Sequence, residues 1–278
     1  MACRLRFYAT PWSLRQYPSA ARQWSWPRKF RAIREAEFTG VTSPPIPEIR
    51  DRGDLRYLSI TSIDRTAQIA PAFRAVTDLG ADAIVVQLGD YDTPLPAALE
   101  LVRALTQESR DTGLRVEIET HRDTYTETPE NTWALADAWR QETGSVLPIC
   151  FDFSHFVVVR HLAPPYWPRL SECAELISHA RTFHLRPCNG HHCQIPATGL
   201  NGRRAAEYRP WLEFVAALFA FSRIRICGTS SSSPNSDMLL LPMACPVFPI
   251  RGGDARVVHD DMRRLARQSG ILEAPART

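Results

Sequence analysis

Along the 278-residue chain, short apolar runs alternate with longer stretches whose apolar residues recur at helical spacing. Residues 4–9, 38–41, 57–61, 83–88, 114–119, 147–152, 182–185 and 224–227 read as eight strands. Residues 27–37, 69–79, 96–112, 131–142, 168–179, 208–221 and 255–267 read as helices between and after them. The run Ala83-Ile84-Val85-Val86-Gln87-Leu88 is almost continuously apolar, as a strand covered on both faces should be. Gly80 and Gly113 stand where helix ends are expected. Strict alternation of this kind predicts an α/β fold, a single (β/α)8 TIM barrel spanning 1–278. An irregular, serine-rich and proline-bounded stretch at about 228–253 reads as a loop with an apolar segment packed over the barrel, or as a lid.

Length and an apolar content of 44% fit a barrel of roughly 250 residues. No G-x-G-x-x-G follows the first strand, where Thr10-Pro11-Trp12-Ser13 stands, and no phosphate-binding P-loop occurs, which removes most support for an open nucleotide-binding sheet. The net charge of +3 is small and the basic residues are dispersed, so no nucleic-acid partner is expected. No window approaches twenty apolar residues and no signal-peptide pattern opens the chain. The expectation is a cytoplasmic protein without a membrane partner, free to form a homo-oligomer. Lys29 is the only lysine, which argues against chemistry built on an active-site Schiff base. The seven cysteines are odd in number and contain no C-x-x-C pair, so they are read as reduced thiols.

Three strand ends carry chemistry: Ile118-Glu119-Thr120-His121, Phe151-Asp152-Phe153-Ser154-His155 and Phe183-His184-Leu185-Arg186. Glu119, Asp152 and His184 lie about thirty residues apart, one strand-helix repeat, so a barrel would bring them to one rim. Two carboxylates and an imidazole suit one divalent metal ion, Mn, Mg, Co, Zn or Fe. Strand alternation puts Glu117 on the same side as Glu119, where it is either part of the acidic set or paired with an arginine lower in the barrel. Asp152 is either a metal ligand or the N-cap of a following helix. His184 and Arg186 share a strand face. The Asn189-Gly190 turn lets His191, His192 and Gln194 fold over the site, a structural zinc site at His191, His192 and Cys193 being the rival reading. Trp12, Trp24, Trp26 and Trp167 are packing residues or the walls of a ring-binding pocket.

The I-E-T-H, D-F-S-H and H-L-R-P-x-N-G-H-H-C-Q segments resemble the xylose isomerase-like TIM barrel superfamily, which includes sugar phosphate isomerases and epimerases and the endonuclease IV-like group. The resemblance covers nearly the whole chain. It implies one divalent metal held by Glu119, Asp152 and His184, a substrate-contacting histidine at His155 and a substrate-binding position at Arg186. The superfamily's fourth ligand, a glutamate ending strand 8, has no counterpart: the chain reads Arg225-Ile226-Cys227-Gly228-Thr229-Ser230, and no glutamate occurs between Glu213 and Glu273. Cys227, Thr229, Asp237 or water are the candidates to replace it. The expected activity is metal-dependent isomerisation or epimerisation of a small polyhydroxy carbonyl compound through an enediolate. Glu119 is expected as a ligand, with His155 or His121 carrying the proton and Arg186, His191, His192 and Gln194 as substrate contacts. A lyase or dehydratase on the same scaffold, and a non-catalytic binding barrel, are the alternatives.

Overall fold

A computed structural model describes residues 5–199, 201–228, 238–242 and 254–271. Its strands are β1 (Leu5–Ala9), β2 (Gly40–Ser43), β3 (Arg56–Ile63), β4 (Ala83–Leu88), β5 (Arg115–Glu119), β6 (Ile149–Phe151), β7 (Thr182–Leu185) and β8 (Met238–Pro242). All pair in parallel in chain order, and β8 pairs with both β7 and β1, which closes the barrel. The helices are α1 (Trp26–Glu35), α2 (Ile69–Asp78), α3 (Leu95–Thr112), α4 (Pro129–Thr143), α5 (Phe153–Val159), α6 (Trp167–Leu170), α7 (Ala174–His179), α8 (Tyr208–Gly228) and α9 (Asp254–Gln268). No helix among the described residues is long and apolar enough to cross a membrane.

Three expectations are corrected. Residues 224–227 are not strand 8: they continue α8 without a break to Gly228. Apolar residues in that helix recur at Trp211, Val215, Leu218 and Phe219, a helical period, and after Pro210 in the first turn no glycine or proline occurs before Gly228. Strand 8 is the run Met238-Leu239-Leu240-Leu241-Pro242, expected above as a loop segment. An unbroken apolar run is what a parallel strand buried on both faces requires. The helix expected over 168–179 is divided into α6 and α7 by Ser171–Cys173. Most of the loop or lid expected at 228–253, namely 229–237 and 243–253, lies outside the described residues.

Strand alternation sorts the core into two layers. Outward residues such as Val41, Tyr57, Ile84, Val86, Ile118, Phe151 and Phe183 pack against the helices in one large cluster. Inward residues Tyr8, Leu58, Ala83, Val85 and Cys150 form a separate, smaller one. The inner cluster is closed at the N-terminal end of the strands by a polar plug. The Tyr8 hydroxyl donates to Asp82 Oδ2 at 2.8 Å, and Arg56 Nε donates to the same oxygen at 2.7 Å. Gly40 makes room for this arrangement, since a Cβ there would lie 2.5 Å from Tyr8 Cε1 and 2.7 Å from the Arg56 carbonyl oxygen. The cysteines that can be described, Cys150, Cys173, Cys188 and Cys193, are all free thiols.

On the outer layer, α9 places the buried His259 ring parallel to Phe38 at 4.2 Å and edge-on to Phe7 at 4.9 Å. Burial, helped by Arg263 and opposed by Glu37, holds this imidazole down at about 4. The native state then binds fewer protons than the unfolded chain between that value and the ordinary 6.5. His259 therefore contributes its full stability above pH 6.5 and loses it as pH falls toward 4, a change on the order of 3 kcal/mol. In urea titrations the stability difference between wild type and His259→Phe should shift by that amount between pH 7 and pH 4 and level off below. A pH-independent difference would show that the ring is not buried neutral.

Candidate metal centre

Inward positions at the C-terminal end of β4 to β7 are polar, above the apolar inner cluster of Leu58, Ala83, Val85 and Cys150. Glu119, the last residue of β5, is buried, and its Oε1 lies 2.5 Å from His184 Nδ1. Its Oε2 accepts a hydrogen bond from Gln87 Nε2 at 3.1 Å, and Gln87 Oε1 accepts from the Ser62 hydroxyl at 3.0 Å. A chain of side chains from β3 to β7 thus fixes the carboxylate. Burial alone would push the Glu119 carboxyl up, but the adjoining His184 imidazole outweighs it and holds the group below its usual value.

Glu117 sits one inward position lower. Its Oε1 is 3.5 Å from Arg115 Nε, the arginine pairing considered above, and burial pushes its carboxyl up despite that neighbour. It is not in the cluster of possible ligands.

Asp152 follows β6 and divides its two oxygens between a helix cap and the buried cluster. Oδ1 caps α5, accepting from the Ser154 amide at 3.0 Å and the Ser154 hydroxyl at 2.5 Å. Oδ2 is 2.8 Å from Arg186 Nη2 and 3.5 Å from His155 Nε2. The Thr120 hydroxyl accepts from the Asp152 amide at 2.8 Å and donates to the Asp152 carbonyl at 3.1 Å, tying the ends of β5 and β6 together. Burial would raise the Asp152 carboxyl, but Arg186, with His155, His184 and Ser154, brings it down to about 2.

One ligand atom each from Glu119, Asp152 and His184 lies within 4.8 Å of the others, and all three residues are buried. Asp152 Oδ2 and His184 Nε2 have no hydrogen-bond partner. Two ionised carboxylates, an imidazole and donor atoms with capacity to spare form a set that one divalent ion fits. Among the described residues Arg186 is the fixed positive charge in contact with the set, and it balances one of the two carboxylates.

His155, in the first turn of α5, is buried with Nε2 unpartnered. Burial first, and Arg186 next to it, depress this imidazole to about 4 against the pull of Asp152. The half-buried His121 stacks obliquely on it at 4.5 Å between ring centres, with its own Nδ1 2.7 Å from the Arg122 carbonyl oxygen. The loop after β7 returns to the site through Cys193, whose Sγ is 3.9 Å from His155 Nδ1. His191 and His192 are exposed on the Asn189 turn, their backbone amides donating to Asn189 Oδ1 at 3.0 and 2.9 Å, and the His191 ring stands 6.2 Å from that of His161. Gln194 is half-buried farther along. Sequence reading missed Gln87 and Ser154 as supports, although the serine two residues after a strand-ending aspartate is a capping signal. Of the candidates to replace the strand 8 glutamate, Cys227 belongs to helix α8, and Thr229 and Asp237 lie outside the described residues.

No family model matches the sequence, and no curated protein does. Solved structures do. A D-tagatose 3-epimerase-like protein superposes with a TM-score of 0.59 at 14% identity, over 95% of this chain and 98% of its own. The likeness is one of fold, a closed parallel α/β barrel. The probable 3-DHS dehydratase AsbF from Bacillus anthracis matches with a TM-score of 0.57 at 13% identity, over 94% of this chain and 98% of its own. A xylose isomerase-like TIM barrel protein from Mycobacterium smegmatis, solved in complex with magnesium, matches at 0.54 and 13% identity, over 96% of this chain and 98% of its own.

The Asp152–Arg186 contact generates a test. Arg186→Leu in the presence of chelator leaves a buried carboxylate without its counter-charge and should cost about 3 kcal/mol in urea unfolding. Arg186→Leu combined with Asp152→Asn should cost less than the two single changes added. Additive losses would show that the two charges do not compensate one another.

Proposed function

We propose that the chain is a divalent-metal-dependent isomerase or epimerase of a small polyhydroxy carbonyl compound, acting through an enediolate. The observation that carries this reading is the buried Glu119, Asp152 and His184 cluster at the C-terminal end of the strands, the end where barrels of this kind place their active sites. The epimerases and the dehydratase among proteins of the same fold support it.

A divalent ion held by Glu119, Asp152 and His184 would supply Lewis-acid polarisation of a carbonyl and its neighbouring hydroxyl. The protein's own groups do the rest. Gln87 and the Ser62 hydroxyl behind it keep the Glu119 carboxylate oriented. His155, uncharged at neutral pH, accepts the proton from the α-carbon at its unpartnered Nε2. His121, ring against ring with His155 and more exposed, passes protons to solvent. The Arg186 guanidinium, buried beside Asp152, offsets negative charge developing on substrate oxygens. Gln194, and His191 and His192 farther out, are the substrate contacts contributed by the loop after β7.

Dehydration is the second reading, favoured by one specific feature. With no glutamate between Glu213 and Glu273, a second carboxylate acid/base from strand 8 is missing, and elimination needs only one base and the metal. Incubation with manganese and a panel of sugars, keto acids and cyclitols in deuterium oxide separates the two by mass spectrometry. Isomerisation or epimerisation introduces deuterium at carbon and loses no water, whereas elimination loses water. His155→Gln should lower kcat by about 10²- to 10⁴-fold in either case. Binding of a panel compound with neither exchange nor water loss would overturn both readings in favour of a non-catalytic barrel.

A further inference from the structure

A second concave site, which shares no lining residue with the carboxylate cluster, lies between the segments that follow β1 and β2. It is a cavity of about 280 Å³ walled by Pro11, Trp12, Trp26, Pro44 and Ile46, with Lys29 of α1 in its lining. Lys29 is the only lysine in a chain that otherwise uses arginine for every basic position. It is 3% exposed. Its Nζ stands over the Trp26 ring, 4.6 Å from the centroid, and it has no ion pair among the described residues. No acidic side chain lines the cavity. Burial pulls this amine below its usual value, which shows how poorly the apolar surroundings solvate its charge.

The other polar groups in the wall are few. The Ser43 hydroxyl donates to the Pro44 carbonyl at 2.8 Å, and Gln23 Oε1 accepts from the Gln16 amide at 3.1 Å, leaving the Gln23 amide NH2 as a donor. Arg15 is exposed and lies over Trp12 at 5.0 Å. A wall of this chemistry offers one buried positive charge, a second and exposed one in Arg15 at its edge, two indole rings and one further amide donor. A dianion such as phosphate would meet a single charge in the buried part of the cavity, Arg15 being exposed and held over Trp12, while a neutral ring would leave the ammonium without a counter-charge. A single carboxylate on a flat ring meets both demands, and the volume is close to the lower bound of small-ligand pockets, about 300 Å³.

We propose that this cavity binds a flat-ring monocarboxylate, its acid group paired with Lys29 and its ring packed on Trp12 and Trp26. The site uses the β1 and β2 ends of the barrel, whereas the carboxylate cluster uses β5 to β7, so it stands whether or not the metal centre is catalytic. Its test is therefore run on the full chain in chelator.

Benzoate, its neutral counterpart benzamide and inorganic phosphate are titrated separately, read by tryptophan fluorescence and by calorimetry. Benzoate should bind saturably, at least tenfold more tightly than benzamide, and phosphate should not displace it. Lys29→Met should weaken benzoate at least tenfold while leaving benzamide unchanged. Trp12→Ala, at a position 50% exposed in the fold, should weaken both ring compounds. Equal affinity for benzoate and benzamide, unchanged benzoate binding in Lys29→Met, or phosphate binding tighter than benzoate would overturn the proposal. Should Lys29→Met not fold, the benzoate to benzamide ratio in wild type and the Trp12→Ala titration still decide it.

Discussion

Closing eight parallel strands into a barrel leaves every second side chain of each strand inside, where water is scarce and charge must be balanced by protein or by a bound ion. At the lower levels of this barrel those positions hold Leu58, Ala83, Val85 and Cys150, with the one buried carboxyl described there, Glu117, facing Arg115. At the mouth they hold Gln87, Glu119 and His184, with Asp152 and Arg186 just beyond the strand ends. Two ionised carboxylates buried within reach of one another would be costly without compensation. The Arg186 contact with Asp152 and the His184 contact with Glu119 are the compensation this chain supplies from its own side chains.

The rest of the architecture supports that arrangement. The plug of Tyr8, Asp82 and Arg56 shuts the opposite end. The Thr120 hydroxyl pins the ends of β5 and β6 so that Glu119 and Asp152 keep their relative heights. Helix α5 begins at once after β6, and its cap holds one Asp152 oxygen while aiming the other inward. One short segment, Asp152 to His155, thereby ends a strand, starts a helix and presents two functional groups.

The cluster was legible in the sequence because Glu119, Asp152 and His184 each close an apolar run, and a polar residue after such a run in an α/β chain has few places to be except a barrel rim. That Asp152 caps a helix and still belongs to the buried cluster was visible only as a pair of alternatives, since sequence does not say which carboxylate oxygen faces which neighbour. Gln87 went unnoticed: an amide late in an apolar strand gives no signal until its partners on β3 and β5 are known. Strand 8 was misplaced for a physical reason. Residues 224–227 extend a helix with no residue that would stop it, while Met238 to Leu241 lacks the β-branched side chains that mark strands in a sequence. Lys29 was noted for what it excluded, and its place in a pocket wall depends on the loops after β1 and β2 meeting in space.

Metal stoichiometry tests the central claim most directly. The untagged protein is dialysed against a mixture of divalent metals and then against buffer, and its metal content is measured by elemental mass spectrometry. The account predicts about one divalent ion per chain, removable by chelator and lost in Asp152→Asn. Metal that stays well below one per chain and never saturates, or content unchanged by Asp152→Asn, would contradict it.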